Sequence, residues 1–311
     1  YWNDKETVIN SATFLAIENP STDVARYRAG DLDMTSYGLP PEQFAKLQKE
    51  LPGEVYITRT LATYSYELNN KKAPFDNVNI RKALNLSLDR NVITDKVLGQ
   101  GQTPTYVFTP TYIEEGHLIQ QPAYSKEPMA QRNEEAIKLL EEAGYSKANP
   151  LKFTILYNTN ENHKKVAIAA ASMWKANTKG LIDVKLENQE WKTYIDSRRA
   201  GRYDAARAGW NADYNQATTF GNYFLSNSSN NTAKYANPEY DKAIAESYVA
   251  TDAEGRAKAY AKAEEILAKD FGIVPIFNYV NPRLVKPYVK GYSGKDPQDH
   301  IYLRNLYIIK H

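Results

Sequence analysis

Between residues 151 and 208 the apolar pattern switches repeatedly between the period of a strand and that of a helix, and few folds accommodate such a run. Residues 151–156 read as a strand, 161–177 as a helix, 182–188 as a strand and 191–200 as a helix, and 203–208 alternates enough for a further short strand. Strand, helix, strand and helix in succession make a βαβ-type lobe. The rest of the chain is more mixed. Residues 7–15 alternate like a strand, 21–30 read as a short helix closed by Gly30, and 32–35 as another short strand. Pro40-Pro41 can open a helix, because proline is tolerated where a first-turn N–H would be free in any case. Residues 55–68 are extended, 78–98 form one or two helices with Ser87-Leu88-Asp89 as a cap between them, and 103–129 is a long loop. A helix over 131–143 places Ala136, Leu139, Leu140 and Ala143 on one face. Asn237 and Pro238 start a helix to residue 249, Thr251-Asp252-Ala253-Glu254 forms a capping box for one reaching 269, and 273–279 returns as a strand. The final stretch, 283–311, reads as extended and turn-rich. From pattern alone the chain is two α/β lobes.

Length agrees with that division, since 311 residues exceed one typical domain. Charge narrows the function classes. The 39 basic and 37 acidic residues are interspersed for a net charge of +2, without the basic tract of a nucleic-acid binder. No apolar run approaches the ~20 residues that span a bilayer. The absence of cysteine removes disulfides, thiolate metal sites and cysteine nucleophiles. The 24 tyrosines suit either a surface that meets mixed polar and apolar partners or ordinary strand packing.

Catalytic signatures are missing. The four histidines, His117, His163, His300 and His311, include no pair at the i, i+4 spacing of a helical zinc site. No nucleophile elbow or P-loop occurs, and Gly99-Gln100-Gly101 follows a helix rather than a strand, which is the wrong setting for dinucleotides. No catalytic residue, metal ligand or cofactor is therefore assigned. A peptide hydrolase or amidase built from distant carboxylates stays open as the alternative of another class.

The densest chemistry lies in Ala205-Ala206-Arg207-Ala208-Gly209-Trp210-Asn211-Ala212-Asp213. A guanidinium offers a planar fork of donors to a carboxylate, an aspartate accepts from an ammonium, and the indole between them supplies apolar area with one donor. Gly209 lets a guest approach the backbone closely. Such a run can grip a zwitterion; a surface ion pair beside a core tryptophan is the other reading.

This run, together with Asn188 to Gly201 (NQEWKTYIDSRRAG), LYNTNENHKK from Leu156, LSNSSNNTA from Leu225 and the ending RNLYIIKH, resembles the periplasmic oligopeptide-binding proteins of ABC importers, most of all the oligopeptide and murein-peptide binders of Gram-negative bacteria. The resemblance runs end to end. It implies a two-lobed periplasmic binding fold of the peptide-binding class, with residues 1–60 and 282–311 in the first lobe and 61–281 in the second, ligand-binding one. It also implies a hinge, a ligand held in a cleft between the lobes, delivery to the membrane subunits of an ABC transporter, and periplasmic location in a Gram-negative bacterium. Relatives carry a long portion before the position of Tyr1, so an absent N-terminal portion of the same protein is expected as a partner. By position, Asp213 matches the residue that fixes the ligand ammonium, Arg207 one that takes carboxylates, and His163 one that meets the carboxylate of longer peptides. Trp210, Trp191, Arg198 and Glu67 match pocket-wall positions; for Trp191, core packing is the competing reading. Asn211 and Ala62 stand where some relatives have paired cysteines. Leu98 replaces a lysine that some oligopeptide binders carry, which keeps a murein peptide in view as the guest, beside other solutes on the same fold.

Overall fold

The computed structural model describes residues 2–17, 19–36 and 38–310; Tyr1, Glu18, Tyr37 and His311 lie outside it. Its backbone falls into two units, one of Tyr1–Thr60, Leu98–Gln102 and Tyr279–His311, the other of Leu61–Val97 and Thr103–Asn278.

The larger unit contains the alternation that the sequence announces. Strands β1 (Val55–Leu68), β2 (Thr103–Pro104), β3 (Leu151–Asn158), β4 (Ile182–Gln189), β5 (Ala205–Asn211) and β6 (Ile273–Leu284) form one sheet in the order β2-β6-β1-β5-β3-β4, with β1 and β6 each continuing into the smaller unit. Helix α5 (Glu161–Asn177) joins β3 to β4, which pair in parallel over their full length, and α6 (Trp191–Arg199) leads back to β5. The chain thus leaves β3 toward one side and returns on the other, which makes a topological switch point between β3 and β5. In open α/β sheets ligands gather at the carboxyl ends of strands beside such a point.

Register fixes which side chains share a face, because alternate residues of a strand point to opposite sides. Tyr66 pairs with Arg207 and Tyr64 with Gly209, so Tyr64, Tyr66 and Arg207 share one face, on which Trp174 of α5 lies 5.9 Å from the Tyr66 ring. Glu67, Ala206 and Trp210 take the other. That second face carries two clusters. Leu156, Tyr194, Tyr203 and Ala206 form one; the other gathers Leu61, Phe108, Phe220, Tyr223, Phe224 and Ile244, with Trp210 packed against it. The helices that cover it include α7 (Thr218–Gly221), α8 (Pro238–Val249) and α9 (Ala253–Lys269).

Caps follow sequence closely, with one shift. Asn237 caps α8 through its side chain, with Pro238 in the first turn, as expected. For α9 the acceptor is Asp252, which takes the Gly255 N–H at 2.6 Å, so the cap falls one residue beyond Thr251. Asp89 accepts from the Asn91 and Val92 N–H groups between α3 (Val78–Leu86) and a π-helical turn over Val92–Leu98, and the helix expected over 131–143 is α4 (Met129–Glu142).

The smaller unit departs more from expectation. Its core is Val24, Tyr27, Leu39, Phe44, Leu47 and Leu284, built from α1 (Pro20–Ala29), α2 (Pro41–Glu50) with the segment just before it, and the end of β6. Residues 7–15 form no strand; Val8 and Phe14 are 66% and 77% exposed. An alternating segment becomes a strand only where another strand supplies ladder partners, and among the described residues none pairs with it. The expected strand at 32–35 reduces to one bridge, Met34 to Val285.

Candidate functional site

β3 and β5 pair only at Ile155–Ala205 and Leu156–Ala206. Beyond these residues β3 continues beside β4 alone and β5 beside β1 alone. The Ala212 N–H bonds to the Leu61 carbonyl, and the Tyr194 hydroxyl donates to the Arg207 carbonyl from the opposite side. Antiparallel alternation then turns the N–H and C=O of Gly209 and Asn211 away from β1, toward the side β3 has left. Asn211 is exposed and Gly209 half-buried. This open stretch of β5 is a length of strand edge presented by a rigid sheet.

One guanidinium and one imidazole gather at the inner end of the edge. Half-buried Arg207 places its guanidinium 5.1 Å from the centre of the Tyr64 ring and donates to Asn158 Oδ1 at 3.4 Å. His163 lies in the first turn of α5, whose cap residue Asn160 accepts its N–H at 3.1 Å, and its ring is 5.6 Å from Tyr64. Burial first, and the Arg207 charge second, hold the His163 imidazole well below the ordinary histidine range, so it is neutral at pH 7. Its folded value lies below the unfolded one near 6.5, so on acidification only the unfolded chain takes up that proton. Stability is expected to fall as the pH drops below about 6.5, by at most ~1.4 kcal/mol per pH unit for this one group. His163→Gln should lose less over the same interval, which urea unfolding at pH 7 and pH 5 would read; equal losses would contradict it.

Asp213 lies beyond the outer end of β5 and is exposed. Thr219 of α7 donates to its Oδ2 at 3.1 Å, and the same hydroxyl accepts from the Asp213 backbone N–H and from Trp210 Nε1, each at 3.2 Å. The structure therefore does not set Arg207, Trp210 and Asp213 around one point. Arg207 and Trp210 project from opposite faces of the sheet, and the two charges occupy separate surroundings at the two ends of the open edge.

Glu67 and Arg198 are brought together, but in the interior. Glu67 is 1% and Arg198 8% exposed, and the Arg198 Nη2 to Glu67 Oε2 distance is 2.9 Å. Tyr223 donates to Glu67 Oε1 at 2.7 Å, the Thr232 hydroxyl donates to Glu67 Oε2, and Arg198 also reaches Tyr223 and Thr232. Burial lowers the Arg198 pKa, but the Glu67 charge and neighbouring tyrosines outweigh it and leave it well above the ordinary value. This pair supports Trp210 from beneath, since the Tyr223 ring meets the indole edge-on at 4.9 Å. Trp191 is not core: it is 55% exposed and stacks on Tyr194 at 5.8 Å. Asn211 and Ala62 are direct cross-strand partners, and Leu98 is buried. Tyr64, Asn158, Tyr194 and Thr219 escaped the sequence reading. Tyr64 sits in a visible alternation, whereas Thr219 reaches Asp213 through a turn that no local pattern marks.

The sequence profile of the bacterial extracellular solute-binding proteins, family 5, middle region, matches residues 1–232. The chain belongs to this family. As a family 5 protein it is 97% identical over 311 residues to the periplasmic oligopeptide-binding protein OppA of Haemophilus influenzae, covering all of this chain and 58% of that protein. It is 43% identical to the periplasmic murein peptide-binding protein MppA of Escherichia coli, of which it spans 57%. The crystal structure of H. influenzae OppA in complex with RPPGFSPFR superposes with a TM-score of 0.94 at 96% identity, covering 100% of this chain and 60% of that one. The chain thus spans somewhat more than half the length of these relatives. No helix among the described residues is long and apolar enough to cross a membrane.

Proposed function

We propose that this chain binds peptides as a strand added to the open edge of β5 and serves an ABC importer from the periplasm, without chemistry on its guest. The observation that carries the reading is the departure of β3 after Leu156, which leaves the main chain of Gly209 and Asn211 facing outward between a guanidinium and a carboxylate. Every peptide shares the same main-chain groups, so pairing them gives affinity without sequence preference. The end charges would set direction. A peptide running antiparallel to β5 places its ammonium at Asp213 and its carboxylate toward Arg207 and His163. From Arg207 to Asn211 the strand rises about 13 Å, roughly the length of four extended residues. Trp210 and Trp191 would form walls for side chains, with Glu67 and Arg198 bracing them from within. The proposal keeps residues 61–281 as the ligand-binding lobe. The names of the relatives, which are peptide-binding and periplasmic, support it.

Tetra-alanine titrated by calorimetry into this chain, and into one extended to the relatives' full length, tests the reading. N-acetylation of the peptide is expected to weaken binding at least tenfold, because an amide cannot replace the ammonium at Asp213. Equal binding of blocked and free peptides would reject end-charge recognition, and cleavage products in the mass spectrum would favour the hydrolase instead. Native mass spectrometry of purified protein would distinguish a retained murein peptide from an ordinary one.

A further inference from the structure

Thr219 is 4% exposed and lies six residues beyond Asp213, in a helical turn that follows β5. A threonine hydroxyl has one proton to give and two lone pairs to receive. Both lone pairs are used here, by the Asp213 backbone N–H and by Trp210 Nε1, each at 3.2 Å, and the proton goes to Asp213 Oδ2 at 3.1 Å. The hydroxyl has no rotor freedom left. One oxygen atom therefore fixes the carboxylate, the main chain that carries it, and the indole that ends the second face of β5.

The turn is itself anchored. The Ala217 N–H bonds to the Glu114 carbonyl at 3.0 Å, the Gln216 amide donates to Glu115 Oε2 at 2.9 Å, and Arg256 of α9 holds Glu115 at 2.6 Å. Asp213 thus sits on an exposed connection whose far end is tied to a helix of the core. An exposed aspartate on an unsupported turn would pay rotamer entropy each time it met a cation; a carboxylate already held in place pays less.

From this geometry we infer that Thr219 is a positioning residue, which aims the Asp213 carboxylate at a peptide ammonium and couples it to the Trp210 wall. The inference rests on the proposed peptide-binding function and deepens it. Thr219→Val keeps the shape and removes the hydroxyl, so affinity for tetra-alanine should fall roughly 10-fold or more. Affinity for N-acetyl-tetra-alanine, which does not use the Asp213 anchor, should change far less, so the ratio between the two peptides collapses. Thr219→Ser, which retains the oxygen, should restore the ratio, and Thr219→Ala repeats the test should the valine variant not fold. Calorimetry in the chain extended to the relatives' full length reads all of these. Thr219→Val with an unchanged ratio would overturn the assignment and leave Thr219 a packing residue. A wild-type protein that did not distinguish the two peptides would instead remove the ammonium anchor, and the role of Thr219 with it.

Discussion

Asp213→Ala is expected to weaken binding of a free-amino peptide by roughly 30-fold or more, because an ammonium held at the end of β5 loses its counter-charge once the peptide has displaced water, and losing one partner of a desolvated pair costs about 2 kcal/mol at the low end. Asp213→Asn is the informative companion. The amide keeps an oxygen for the Thr219 hydroxyl but carries no charge, so it should lose nearly as much as alanine if charge is what anchors the peptide. The unfolding midpoint of Asp213→Asn should stay close to the parent, since Asp213 is exposed and the amide oxygen still accepts from Thr219. Calorimetric titration with unblocked tetra-alanine checks this, and an unchanged affinity would take Asp213 out of the site.

The second large effect concerns stability. Glu67→Ala leaves the Arg198 guanidinium, 8% exposed, without its carboxylate, and strips the acceptor from Tyr223 and Thr232. Breaking a buried pair from one side costs about 3–5 kcal/mol. Replacing both partners together, as in Glu67→Leu with Arg198→Met, should cost much less, because no uncompensated charge remains. Urea unfolding of the two single variants and the double variant would read the difference. A double variant as unstable as the singles would mean that shape rather than charge decides at this position.

The sequence was most legible where one residue signals its own neighbourhood. The β3-α5-β4-α6 run follows from apolar period, and Asn237 with Pro238 marks the start of α8 because both act within one turn. Residues 7–15 show the opposite case: alternation says only that a segment could pair, and pairing needs a partner elsewhere. β5 illustrates a subtler limit. Its pattern from 203 to 208 reads as a short strand ending before Gly209, yet the strand runs Ala205–Asn211 because β1 lies alongside as far as Ala62. That extension matters for the site, since it puts Arg207 and Trp210 on opposite faces and turns three adjacent-looking residues into the two ends and one wall of an edge. Glu67 and Arg198, distant in sequence and matched only by resemblance, are neighbours because β1 and α6 meet on one face. No local pattern encodes that contact.

Hydrogen–deuterium exchange at the amides of Gly209 and Asn211, with and without tetra-alanine, addresses the added strand most directly. The account predicts that both amides exchange at least about tenfold more slowly once the peptide is bound, as N–H groups drawn into a ladder do. A peptide that binds while these two amides exchange unchanged would contradict it.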